Sequence, residues 1–186
     1  ISKKEVKKES KEEKNNIYPI FGKKYEKVNI IDSSLYGCVY YLISGHGGPD
    51  PGAIGKHKGN ELCEDEYAYD VTLRLARNLM QMAATVYIIV QDENDGIRDE
   101  RYLNISTNEK LINSNEISNQ QTPRLKQRTD IINELSKALR EYSLSRPVII
   151  LYDIVEQYYR REMIQKNVGF LDQADLIRRR MNAAFP

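Results

Sequence analysis

The sequence predicts a single-domain α/β fold with a mostly parallel sheet and helices on both faces. Three observations carry that expectation. Short apolar runs rich in β-branched and aromatic residues fall at 33–44, 85–90 and 146–152. Two longer segments with helical spacing of apolar residues separate them. The resulting order of strand, helix, strand, helix, strand demands right-handed crossovers, which place the strands parallel and cover both faces of the sheet. At 186 residues, with 40% hydrophobic and 30% charged residues, the chain suits one soluble domain with a sizeable core.

The first 16 residues, ISKKEVKKESKEEKNN, hold six lysines and four glutamates with almost nothing to pack. They read as a solvated, mostly disordered linker or tail, with the domain occupying 17–186. The start at Ile1 reads as that of a processed or excised piece. Within the domain, SSLYGCVYYLIS (33–44) is a buried strand. NELCEDEYAYDVTLRLARNLMQMA (60–83) has apolar residues at 68, 71, 75 and 79, with acids at its start suiting the positive end of a helix dipole. TVYIIV (85–90) is the second strand. The polar stretch 91–121 reads as a long loop, a feature that usually carries function. A second helix opens with Thr122 as N-cap and Pro123 as first helical residue, and repeats Leu125, Ile131/Ile132, Leu135 and Leu139. RPVIILY (146–152) is the third strand, and two more helices are expected near 154–166 and 172–183.

Charge and cysteine content exclude several classes. The 28 basic side chains against 27 acidic ones give no strongly basic surface for nucleic acid. No apolar run approaches the roughly 20 residues that span a bilayer. Cys38 and Cys63 are too few for a disulfide framework or a cysteine-based zinc site. Cys38, inside an apolar run, reads as a buried free thiol.

The stretch YYLISGHGGPDPGAIG (40–55) stands apart. Ligands of open α/β sheets bind at the carboxyl ends of strands, where this segment lies. Its glycines do not complete the dinucleotide spacing, and no Lys-Ser/Thr pair makes a phosphate loop. Pro49 and Pro51 remove amide donors, and Asp50 places negative charge where a phosphate would sit. Metal binding fits the residue types better. His46 follows the strand end, and Glu61, Glu64, Asp65 and Glu66 follow near the start of the next helix. A histidine from the strand end with a carboxylate from the adjacent helix can form half of a zinc site, which in catalytic form takes three protein ligands and a water. The ordinary role of acids there is to face the helix dipole.

These residues resemble the zinc-dependent N-acetylmuramoyl-L-alanine amidases of the amidase-3 type. GHGGPDPGAIG matches every fixed position of that family's opening motif from Gly45 to Gly55. LKQRTDIIN (125–133) is similar to the family's arginine helix, with Ile132 in place of alanine, and VQDENDGIRDE (90–100) occupies its T-R-x-x-D segment with Gln91 at the arginine. The resemblance covers about residues 35–152. It implies a zinc cofactor with His46 as first ligand and an acid at the helix start as second. Ala68 stands where the family has that glutamate; Glu64 lies one helical turn earlier on the same face and is the first choice. Glu66 and Glu61 are the alternatives. The implied reaction is hydrolysis of the amide between N-acetylmuramic acid and L-alanine in peptidoglycan, with a glutamate as general base. The implied location is the bacterial cell envelope, periplasmic or secreted.

The resemblance breaks at the third strand. The family ends it in a histidine; here Tyr152 and Asp153 follow, which leaves Asp153, or the other histidine, His57, as the further candidate ligand. His57 reads as a solvent-exposed loop residue. Beyond Asp153 the family pattern is lost, so no general base is assigned. The rival expectation is a non-catalytic or degenerate amidase-like module that binds cell-wall fragments or a partner protein.

Overall fold

The structure is a computed structural model that describes residues 16–141 and 148–152, with side chains to residue 139. It forms a small α/β unit around strand β1 (Val39–Ile43), all five of whose residues are buried. β1 is the middle strand of a three-stranded parallel sheet, flanked by β4 (Thr85–Ile88) and β7 (Val148–Tyr152). Val39 pairs with Thr85 on one side and Val148 on the other, and Ile43 pairs with Tyr152. Parallel pairing holds in this sheet alone. Strands β2 (Ile54–His57) and β3 (Asn60–Cys63) form an antiparallel hairpin, and β5 (Val90–Gln91) pairs antiparallel with β6 (Lys110–Leu111).

The two-residue period of β1 divides the core. Tyr40 and Leu42 pack with Ile88 against Tyr69, Leu73, Ala76 and Leu79 of helix α1 (Glu64–Gln81). Val39, Tyr41 and Ile43 face the other way, against Ile131 and Ile132 of helix α2 (Gln121–Glu141). The helices therefore cover opposite faces, and each apolar side chain buried between them stabilises the fold by about 1.5–3 kcal/mol.

Several elements differ from the sequence expectation. The first strand begins at Val39, because Ser34–Gly37 form a turn, and Cys38 just before it is only half-buried. The helix expected from residue 60 starts at Glu64. Asn60–Cys63 instead return along Ile54–His57 through a two-residue turn at Lys58 and Gly59, whose φ values of 51° and 84° suit the right-handed twist of a hairpin. The second strand stops at Ile88, and Val90 turns away to pair with Leu111. The segment 91–121 is thus partly built rather than a plain loop. Helix α2 begins at Gln121, one residue before the expected cap, with Pro123 in the first turn where its missing amide leaves no bond unmade. Asp153, the helices expected near 154–166 and 172–183, and nearly all of the expected tail lie outside the described residues.

Residues 16–31 strap across α1. Phe21 and Val28 enter its core cluster, and Arg77 donates to the carbonyls of Tyr25 and Lys27. The strap meets the 92–99 segment closely: a Cβ at Gly96 would fall 2.4 Å from the Gly22 nitrogen. Asp99 ties the three pieces together, accepting from Lys24 at 2.6 Å, the Tyr25 hydroxyl at 2.7 Å and Arg74 at 3.2 Å. Partial burial works against its charge, but these donors prevail and hold the carboxyl down at about 2. Among the described residues no helix is long and apolar enough to cross a membrane.

A depressed carboxyl contributes stability above its unfolded value and loses it as pH falls through the folded one. Asp99 therefore supports the fold above the ordinary carboxylate range, and its share vanishes as pH drops from about 4 to about 2. Asp99→Asn is expected to lower the melting temperature at pH 6 and to flatten its fall between pH 4 and pH 2. A melt series over that range checks it, and parallel curves for both proteins would refute it.

Candidate metal centre

β1 ends at Ile43, and the chain turns at once through Gly45–Gly48. His46 takes a left-handed backbone, φ 60°, followed by Gly47 at 100° and Gly48 at 63°. For a residue with a Cβ that conformation costs about 1–2 kcal/mol and persists only where the surroundings fix it. Here they do. The buried Arg128 of α2 donates to the His46 carbonyl, the Gly47 amide donates to the Asp50 carbonyl at 2.8 Å, and the Gly48 amide donates to Glu109 Oε2 at 2.8 Å.

The imidazole is held as firmly as its backbone. Nδ1 lies 2.9 Å from Asp50 Oδ2. The same oxygen meets Arg124 Nη2 at 2.5 Å, and Asp50 Oδ1 accepts from the Gly52 amide at 3.3 Å. Burial opposes the charge of Asp50, but His46, Gly52 and Arg124 outweigh it and hold the carboxyl below its ordinary value. An ionised carboxylate only accepts, so the proton of this bond resides on Nδ1 and the lone pair of neutral His46 on Nε2. Nε2 faces Glu64 Oε2 at 3.5 Å, and Glu64 is steadied by the Ala53 amide at 2.9 Å. Both side chains are partly accessible, His46 at 30% and Glu64 at 18%. Two lone pairs pointed at each other repel unless a proton or a cation lies between them.

A second group of acids lies behind the loop. Asp65, Glu66 and Glu109 are buried, and each offers an oxygen within 4.8 Å of the others'. Glu66 pairs with Arg98 Nη1 at 2.8 Å and accepts from the amide and hydroxyl of Ser106. Burial, then the charges of Glu66 and Glu109, push the Asp65 carboxyl up to about 7. Burial raises Glu109 as well, against the pull of its amide partners.

The expected site residues are thus sorted by geometry. His46 and Glu64 come together. Glu66 turns inward to Arg98, away from His46. Glu61 is exposed on β3, 3.9 Å from Lys56. His57 sits on β2 and is half-buried, not solvent-exposed, with Nδ1 3.0 Å from the Tyr102 hydroxyl. Asp153 lies outside the described residues; Tyr152, just before it, is in register with Ile43 at the end of β1. Sequence reasoning missed Arg124 as the partner of Asp50 and Glu109 as a brace of the loop. Arg124 had a signal, since it stands one turn before Arg128 on the helix edge leading to Ile131 and Ile132. Glu109 had none, because its role depends on how 91–121 folds back. Comparison of the chain with protein-family models, curated proteins and solved structures gives no match.

Gly52 closes the site. It has φ 69°, and a methyl group there would lie 2.8 Å from His46 Cγ and Cδ2 and 2.9 Å from Glu64 Cβ. Gly55, three residues on and in strand β2, would meet nothing within 4 Å. Gly52→Ala is therefore expected to cost about 1–3 kcal/mol, against about 0.5 kcal/mol or less for Gly55→Ala. Denaturant unfolding of the two variants checks this, and equal effects would mean that the glycine does not shape the pocket.

Proposed function

We propose that His46 and Glu64 are two ligands of a zinc centre and that the chain is a peptidoglycan amidase of the type its GHGGPDPGAIG motif resembles. One observation carries the reading: the 3.5 Å between Nε2 and Oε2, with Nδ1 already committed to Asp50. Zinc bonds of about 2.0–2.2 Å at a tetrahedral angle separate two ligand atoms by roughly 3.3–3.6 Å, so the pair fits one ion. A carboxylate on the far nitrogen of a ligating histidine is the usual support of such a site, fixing its tautomer and raising its basicity. The fold part of the reading is a mostly parallel sheet built around β4, β1 and β7. Tyr152 at the end of β7 is in register with Ile43 at the end of β1, and Asp153, next in the sequence, is the third ligand this reading asks for.

Zinc held there supplies a Lewis acid for an amide carbonyl and an acidified water. The chain's own residues do the positioning. Asp50 keeps the proton on Nδ1 and the lone pair of Nε2 toward Glu64. Arg124 fixes Asp50, Arg128 fixes the carbonyl of His46, and the Ala53 amide fixes Glu64. The substrate is the amide joining the lactyl group of N-acetylmuramic acid to L-alanine, and the place of action is the bacterial cell envelope; both follow from the resemblance. The rival, a non-catalytic wall-binding module, draws on Tyr152 and Asp153 standing where the family has a histidine.

Incubation of the zinc-supplemented chain with an N-acetylmuramoyl peptide, followed by mass spectrometry, separates the two. Peptide with a new L-alanine amino terminus is expected, and its release is lost in His46→Ala. Asp50→Asn, which leaves Nε2 in place but loosens the ring, is expected to weaken zinc affinity about 10–100-fold. A zinc-loaded chain that binds the peptide and releases nothing would contradict the enzyme and leave the module.

A further inference from the structure

The acids behind the loop pose a charge problem that the proposed zinc pair does not solve. Asp65 and Glu66 are each 1% exposed and Glu109 is 2% exposed. Arg98 supplies the countercharge of Glu66. Among the described residues no Lys or Arg forms an ion pair with Asp65 or with Glu109. The partners of Glu109 are neutral: the Gly48 amide at 2.8 Å and the Ser106 hydroxyl at 3.4 Å. Asp65 has less. Its Oδ1 accepts from the Glu66 amide at 2.9 Å, while its Oδ2 is buried with no hydrogen-bond partner.

The helix dipole does not account for that oxygen. The first amides of α1 are already taken: Glu64 donates to the Ala53 carbonyl, Asp65 to the Pro51 carbonyl, and Glu66 to Asp65 Oδ1. Oδ2 is therefore a surplus acceptor inside the protein, beside two further carboxylates. Burying such charge without compensation costs several kcal/mol per group. A cation bound among the three oxygens would remove the cost.

We infer that Asp65, Glu66 and Glu109 form a second cation site, for a hard divalent ion of the calcium or magnesium class, behind the glycine loop. The donors are all carboxylate oxygens, which favour such ions over zinc. Oxygens no more than 4.8 Å apart can reach one ion at the calcium distance of about 2.3–2.6 Å. Glu109 Oε2 also holds the Gly48 amide, so an ion there stiffens the loop that carries His46. The site shares no ligand with the His46–Glu64 pair and stands whether or not that pair binds zinc.

Calorimetric titration of the chelator-treated full chain with CaCl2, MgCl2 and MnCl2 in turn tests it, alongside thermal melts with each salt. One of these ions is expected to bind at about one equivalent and to raise the melting temperature, in the unaltered chain and in His46→Ala alike. Asp65→Asn is expected to weaken that uptake about tenfold or more. The melts need no variant, so a failure of Asp65→Asn to fold leaves the test intact. No uptake and no shift with any of the three salts would overturn the inference and assign the charge balance to protons. Uptake kept in Asp65→Asn but lost in His46→Ala would overturn it too, by placing the ion at the other pair.

Discussion

Burial of β1 on both faces is the constraint from which the rest follows. All five residues of Val39–Ile43 are buried, with a helix over each face and a strand along each edge. The chain can then become polar only past Ile43, at the carboxyl end of the sheet. That is where the left-handed turn at His46, Gly47 and Gly48 begins. α2 does two things at once: Ile131 and Ile132 seal the lower face of β1, and Arg128, one turn earlier, reaches the carbonyl of His46. The packing of the core and the posture of the loop thus share one helix, and a shift in one would be felt in the other.

The start of α1 distributes charge through its geometry. Consecutive helical residues are turned by about 100°, so Glu64, Asp65 and Glu66 leave the helix in different directions. Glu64 faces His46 at the accessible side, Glu66 faces Arg98 in the interior, and Asp65 lies among the buried acids. The result is two acidic groups with different chemistry a single helical turn apart. One combines nitrogen and oxygen donors and is partly accessible. The other is all oxygen and closed. This separation supports reading the first as catalytic and the second as structural.

Much of this was legible in the sequence, for physical reasons that also mark where legibility stops. The strands at 39–43 and 85–88 announce themselves as short runs rich in β-branched and aromatic residues, the first of them unbroken because it is buried on both faces. The loop announces itself because left-handed turns need glycine. Glu64 was reachable by counting one turn back from Ala68 along a helix face. The hairpin 54–63 was not, since NELC reads equally as an acidic helix start, and only the left-handed Lys58-Gly59 pair decides for a turn. The buried acids were hidden for another reason: Glu109 lies 43 residues after Glu66 in a polar stretch, and polarity along the chain says nothing about burial until the fold closes over it.

The account depends on whether His46 and Glu64 share an ion. The most direct measurement is elemental analysis of the purified chain after dialysis, beside His46→Ala and Glu64→Gln. About one zinc per chain, absent from both variants, is the result expected of a site that uses both side chains. Zinc retained in either variant, or none in the unaltered chain, would mean that the pair is an ordinary histidine–carboxylate contact and that the amidase reading has lost its footing.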